Sequence, residues 1–384
     1  MLPGEQSLPE VIVSPDGHVV NNLFLYHCEQ SDQALARQVN EDLMSLQVYW
    51  FKNHRQQLVC PRCASSNLIR KGWRNRVLMS SRGRLRLKVL QSRCKVCGRT
   101  FRPFNGWAGI PSSRRFLEEL VEKAVTLGTQ FSFSRSAETL KLLTGGAISQ
   151  EGIRHKVADD ANRISLPQPM AAQTVLVDAT KVKVGRKQRG EPVYLAVTAE
   201  RGPQKHGRPT CIKSLIHLHV GDVAPVKKRL RAIRPDYLVH DGGENLTDCA
   251  KNVQRCRWHL AHQLKHYLWQ DQVPRALRPA FQERVRSILA DRMKGPSRYK
   301  RFTDNLMALG YKKTASHLHG AANEAFTYVK EQGFAYIDTS PLEREMRELN
   351  RRADIGARWS PKGLENVLKV LFHRRLNNKS KGQT

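Results

Sequence analysis

The chain has 384 residues, 40% of them hydrophobic, with 65 Lys and Arg against 34 Asp and Glu for a formal net charge of +31. That length suffices for two or three domains with a sizeable core; no apolar run approaches the ~20 residues of a membrane span, and the first residues lack the basic-then-apolar pattern of a secretory signal, so a cytoplasmic protein with no membrane partner is expected. So large a positive excess repels itself and calls for a polyanionic partner, in the first instance nucleic acid.

Residues 1–58 carry the weakest pattern. "EVIVSPDGHVV" reads as strand, turn and strand. "SDQALARQVNEDLMSLQVYWF" reads as a helix with Ser31 as its N-cap. No function is assigned to this α+β element beyond packing or protein contact.

Residues 59–107 hold two Cys-x-x-Cys pairs, Cys60/Cys63 and Cys94/Cys97, separated by 30 residues. The other four cysteines, at 28, 211, 249 and 256, are scattered, which fits a reducing compartment better than a disulfide framework. Between the pairs, "RLRLKVLQSR" alternates, with Leu85, Leu87 and Val89 on one face and Arg84, Arg86 and Lys88 on the other. Two knuckles at the ends of a small antiparallel sheet make a zinc ribbon, and four thiolates give the closed tetrahedral shell of a structural Zn²⁺. Residues 60–115 contain 15 Lys or Arg and no Asp or Glu. Such a stretch attracts phosphate in a salt-dependent way. Arg84, Arg86, Lys88, Arg93, Lys95, Arg99 and Arg102 are the expected DNA contacts.

Residues 113–165 read as helices. Leu117, Leu120, Val121, Ala124 and Leu127 follow helical spacing. "SRSAETLKLL", the turn "TGGA" and a helix from Ser149 give the helix, glycine turn, helix order of a helix-turn-helix domain, the other reading being a plain helical bundle. Arg154 and Lys156 of the last helix would face DNA.

After a proline-containing linker, strands are expected at 173–184, 192–199, 213–220, 236–241 and 253–259, with helices at 222–233 and 245–251. Three strands, helix, strand, helix, strand is the order of an RNase H-like core. Residues 260–336 show no strand pattern and read as an all-helical insertion, and 337–384 supply closing helices and a basic tail. The fold class is therefore multidomain α/β: an RNase H-like core with a helical insertion, preceded by a zinc ribbon and a helix-turn-helix domain.

The chemistry gathers in the core. Asp178 ends the apolar run "TVLVD", and Asp241 ends "YLVHD" before Gly242-Gly243. In an RNase H-like sheet the first and fourth strands are neighbours, so the two carboxylates would sit side by side. Their repulsion would protonate one unless a cation bridged them, and hard oxygen ligands suit Mg²⁺ or Mn²⁺. A third acid is expected on "SPLEREMRELNRR". Leu342, Met346 and Leu349 mark its buried face. Periodicity turns Glu348 away but does not separate Glu343 from Glu345.

The segments "VLVDATKVKV", "LVHDGGENL", "CRWHLAHQL" and "SPLEREMRELNRRADIGARWSPKGLENVL" resemble bacterial DDE transposases of the insertion-sequence type, nearest to the IS256, ISL3 and Mutator-like groups. The likeness covers about 173–375. It implies Glu343 as third acid, and a Cys-x-x-His element at Cys256 and His259. It also implies a basic helix with Arg344, Arg351 and Arg352, followed by Gly356 and Trp359. Pro341 departs from the polar residue common there. Cys256 and His259 read as orienting groups, as half a zinc site, or as a core cysteine beside a surface histidine. Trp258 reads as core or as a stacking platform for a base. The function implied is a DNA transposase that binds double-stranded element ends, forms a homodimer or higher oligomer on DNA, acts at the nucleoid, and cuts and joins strands with two metal ions. The alternative is a DNA-binding regulator that uses the front end alone.

Overall fold

The computed structural model describes residues 33–54, 57–103, 115–168, 173–185, 190–205, 207–355 and 357–377. The strand pair expected at 10–20, Ser31, Cys28, Gly356 and the tail beyond 377 lie outside the described residues. The protein is mixed α/β, with two sheets and twelve α-helices among the described residues. Its contacts divide it into two compact units, Met1–Lys156 and Val157–Thr384. No helix among the described residues is long and apolar enough to cross a membrane.

In the first unit, helix α1 (Gln33–Asn53) precedes a three-stranded antiparallel sheet of β1 (Leu68–Ser80), β2 (Gly83–Cys94) and the short β3 (Thr100–Phe101), in the order β1-β2-β3. The alternation in β2 does what the sequence asks. Leu87 and Val89 are buried with Leu43, Trp50 and Phe51 of α1, while Arg84, Arg86 and Lys88 are exposed. Because β3 covers only Ser92 and Arg93 of β2, the rest of that edge needs partners. Gln47 of α1 supplies them: its Nε2 donates to the Lys88 carbonyl at 2.9 Å, and its Oε1 accepts from the Leu90 N–H at 2.9 Å. Asn40 donates to the Arg86 carbonyl at 2.7 Å. Helix α1 is thus part of the ribbon, closing its open edge.

Helices α2 (Glu118–Gln130), α3 (Phe133–Leu143) and α4 (Gln150–Arg163) follow. Ser132 caps α3 by accepting from the Arg135 N–H. Gly146 lies in the turn before α4, where a Cβ would stand 2.2 Å from the Ser80 carbonyl oxygen, so only glycine fits. The division between units falls inside α4. Its last seven residues, about two turns, belong to the second unit, where Asp160 pairs with Arg374 at 3.0 Å.

The second unit is built on five strands: β4 (Thr174–Val182), β5 (Glu191–Lys205), β6 (Arg208–Val220), β7 (Tyr237–His240) and β8 (Asn252–Arg255), in the order β6-β5-β4-β7-β8. β4, β5 and β6 run antiparallel in sequence, whereas β7 and β8 are parallel to β4. Helix α5 (Ala224–Ile233) joins β6 to β7. Its Val226 and Leu230 pack on Val175, Val177, Ala196 and Leu238 on one face of the sheet. The chain then forms α6 (Arg257–Gln270), α7 (Arg278–Ala290), α8 (Gly295–Ala308), α9 (Lys312–Ala321) and α10 (Thr327–Lys330), with no strand among the described residues from there on. Helices α11 (Glu343–Ala353) and α12 (Pro361–Asn377) close the unit. Two local expectations shift. The strand expected at 253–259 stops at Arg255, because Cys256 turns the chain and becomes the N-cap residue of α6, so the helical stretch begins before residue 260. The helix expected at 245–251 is one 3₁₀ turn, Thr247–Cys249.

Candidate metal centres and their surroundings

The four ribbon cysteines converge. Cys60 Sγ lies 3.5 Å from Cys97 Sγ, Cys63 Sγ lies 3.6 Å from Cys94 Sγ, and all four sulfurs lie within 4.8 Å of one another. A tetrahedron with metal–sulfur bonds of about 2.3 Å has edges of about 3.8 Å, so the cluster fits Zn²⁺ with no rearrangement of the backbone. The knuckles treat their thiols differently: Cys63, although the Ser65 N–H lowers it, is pushed up to about 12 by its sulfur neighbours, Cys97 first, and by burial. Burial raises the Cys60 thiol, but N–H groups of Arg62 and Cys63 bring it down to about 6. N–H groups of Cys97 and Val96 lower Cys94 against burial. Among the described residues this is the one cluster of three or more ligand-type side chains at metal-holding distance.

In the second unit, β4 pairs in parallel with β7 through Val177 and His240, so Asp178 and Asp241 follow at the same level on adjacent strands. Asp178 is 7% exposed and accepts from the Ala179 N–H at 2.9 Å. Burial raises its carboxyl to about 6; the charge of His259 opposes that rise, and the charge of Asp241 adds to it. Asp241 opens the turn "DGGEN" and accepts from the Gly243 N–H at 3.0 Å. A carboxylate pair with one member held partly protonated by its neighbour and its burial is the donor set a hard divalent cation would relieve.

The third acid does not join them: Asp178, Asp241 and Glu343 form no group of three at metal-holding distance. Glu343 begins α11, is exposed, and has Arg347 at 3.9 Å. Glu345 is 3% exposed and faces the other way, into a 2.7 Å ion pair with Lys213 of β6. Lys213 also donates to the Pro341 carbonyl at 2.8 Å and fixes the start of α11. Asn350 meets Thr180 at 3.2 Å. Thr180 shares a face of β4 with Asp178, and Glu343 shares a side of α11 with Asn350, two turns or about 10 Å along the axis.

Around the acid pair, His259 Nδ1 lies 3.3 Å from Cys256 Sγ and 3.1 Å from Thr339 Oγ1, and the Thr339 N–H donates to Cys256 Sγ at 3.3 Å. Burial raises the Cys256 thiol. This pair is held by hydrogen bonds to Thr339, and among the described residues no third ligand completes a zinc site there. Trp258 is exposed.

Two features escaped the sequence reading. Glu324, from the turn after α9, is buried beneath the Asp241 turn. It lies 3.1 Å from His240 Nε2, accepts from Arg255 at 3.1 Å and from Thr247 Oγ1 at 2.6 Å. Burial raises its carboxyl, but His240, Thr247 and Arg255 together bring it down to about 2. The Arg255 guanidinium so held presses against Gly242, whose φ is +90° and whose place a Cβ would occupy 1.5 Å from an Arg255 nitrogen. Glu244, in the same turn, accepts from the Tyr194 hydroxyl at 2.9 Å. No periodicity marks Glu324, since its partners lie about 70 or more residues away in sequence.

Of the basic residues singled out, Arg84, Arg86, Lys88, Arg93, Lys95, Arg99, Arg154, Arg344 and Arg351 are exposed, and Arg102 and Lys156 are half-buried. Arg154 pairs with Glu151, and Arg351 with Glu348 at 2.6 Å. Arg352 is the exception. It is 0% exposed, with its guanidinium 4.6 Å from the Trp359 ring centre, so it packs the joint between α11 and α12 instead of meeting solvent. Compared with family models and with curated proteins, the chain matches none.

Proposed function

We propose that the protein belongs to the nucleic-acid-processing phosphoryl transferases built on an RNase H-like sheet. Within that class we read it as a DDE DNA transposase that binds double-stranded element ends and cuts and joins them. The observation that carries the reading is the pair Asp178 and Asp241, which follow the last paired residues of the parallel β4–β7 ladder, Asp178 within β4 and Asp241 just past β7, in a sheet ordered β6-β5-β4-β7-β8 with three antiparallel and two parallel strands. The uninterrupted helices between β8 and α11 support the helical insertion, and α3, the glycine turn and α4 support a helix-turn-helix. The exposed Arg84, Arg86 and Lys88, with Trp73 and Val77 on the partner strand, offer a cationic face to phosphate.

Asp178, Asp241 and Glu343 would hold two Mg²⁺ or Mn²⁺ ions. When bound, such ions supply a deprotonated nucleophile and neutralise charge at the scissile phosphate. The chain's own part is positional. The β4–β7 register fixes the two aspartates, Arg255 on Glu324 fixes the turn after Asp241, and His259 lends Asp178 a positive neighbour. Glu343 is favoured over Glu345 as third acid because Glu345 is committed to a buried pair with Lys213, whereas Glu343 has an exposed, 3.9 Å pairing with Arg347 and lies on the side of α11 that carries Asn350 to β4. The approach of Glu343 would then accompany binding of metal and DNA. The reading is tested by incubating the protein with linear DNA carrying the element's ends, with and without Mg²⁺, alongside Asp178→Asn. Mg²⁺-dependent cleavage lost in the variant is the expected result. Specific binding of ends with no cleavage under any divalent metal would favour the regulator instead.

A further inference from the structure

Helix α6 starts beside Asp178 and presents an unusual outer face. Leu260, Ala261, Leu264 and Leu268 are buried on its inner side. The outer side repeats at positions 258, 262, 265/266 and 269, one helical stripe, and carries Trp258, His262, Lys265, His266 and Trp269. Trp258 is 53% exposed and Trp269 59%. Two half-exposed tryptophans on one helix face, about 16 Å apart, leave ring surface open to a stacking partner. The Trp258 and His262 rings are stacked, centroids 4.5 Å apart and planes 9° from parallel, and the Trp258 ring meets His259 edge-on at 4.8 Å. His266 lies 5.9 Å from Trp269. The charges acting on His262 are all cationic: Lys265, His259 and Arg286. Arg286 is itself shared with Glu283 at 3.1 Å.

We propose that this stripe is a stacking track for unpaired DNA bases, leading a single strand away from the acid pair. The idea rests on the DNA-processing reading above and assigns its single-strand subsite. The chemistry favours that occupant over an apolar protein partner, because Lys265 lies in the stripe itself and Lys265 and Arg286 act on His262, which stacks on Trp258. It favours unpaired over paired DNA, because base faces are available for stacking only when the base has left the duplex. The track begins at the catalytic end, since His259 touches both Trp258 and the field of Asp178.

The test uses the full chain in EDTA, so that no cleavage enters, at about 0.3 M salt to suppress purely ionic binding. Oligo(dT) and a hairpin duplex are titrated against wild type, Trp258→Ala, Trp269→Ala and the two Phe variants. Each Ala variant should weaken oligo(dT) binding about tenfold, each Phe variant should restore most of it, and duplex binding should stay unchanged. Both side chains are exposed, so the variants keep the fold. Photo-crosslinking to 5-iododeoxyuridine should place adducts on Trp258 or Trp269. Unchanged oligo(dT) affinity in both Ala variants, equal losses for duplex, or adducts confined to residues 33–156 would overturn the proposal. Absence of cleavage by wild type with a working track would instead sink the transposase reading and leave this one standing.

Discussion

Asp178→Asn in the metal-free protein isolates the electrostatic cost that the acid pair carries. In the folded chain the Asp178 carboxyl is raised from 3.8 to about 6, by burial first and by Asp241 after the opposing charge of His259. Between those two values the folded state binds the proton more tightly than the unfolded state does. Stability contributed by this group is therefore present at acid pH and lost as pH rises through about 6. Each pH unit corresponds to about 1.4 kcal/mol, so the ionised form costs the fold about 2–3 kcal/mol near neutrality. Asparagine keeps the shape and never ionises. The variant should gain on wild type by about that amount between about pH 4 and pH 7; groups that do not act on Asp178 cancel in the difference, and the coupled Asp241 and His259 contribute to it. Hydrogen exchange of β4 and β7 amides reads it locally. Added Mg²⁺ should protect the wild type and leave the variant unchanged. A difference that is flat with pH, or that grows toward acid, would refute the reasoning.

Zinc analysis of the purified protein should find one ion per chain, and Cys94→Ser or chelation should abolish it and unfold residues 57–103, since the metal centre is the hub of a small core. Gly242→Ala should lower stability by about 1–3 kcal/mol and weaken Mg²⁺ binding, measured by calorimetry, because the new Cβ meets Arg255 at a positive φ. Glu324→Ala leaves His240 and Arg255 without their shared carboxylate and should cost about 3 kcal/mol in chemical denaturation. Glu345→Gln should destabilise the fold more than Glu343→Gln does, while Glu343→Gln should lower DNA cleavage far more than Glu345→Gln does. The reverse pattern would exchange the two roles.

What the sequence made legible follows from how local each signal is. Alternation placed Leu87 and Val89 inward and Arg84, Arg86 and Lys88 outward, and the two Cys-x-x-Cys spacings named the cluster that the structure assembles. Apolar runs ending in Asp178 and Asp241 marked two neighbouring strands, with Asp241 just past the end of β7 but Asp178 in the middle of β4. Periodicity could not tell Glu343 from Glu345, because the deciding partner, Lys213, lies more than a hundred residues away in sequence. Arg352 looked like a surface cation beside Arg351, yet the Trp359 ring draws it inside. The role of α1 was equally hidden. Nothing in "DLMSLQVYW" says that Gln47 will stand in for a missing strand.

The central claim is that Asp178 and Asp241 form the metal-holding centre of a DNA strand-transfer enzyme. Cleavage of linear DNA bearing the element's own ends measures it most directly, in Mg²⁺, with wild type, Asp178→Asn and Asp241→Asn compared at equal end-binding. The account predicts cleavage by wild type and a loss of several orders of magnitude in both variants, with DNA binding retained through the first unit. Undiminished cleavage by either variant would contradict it.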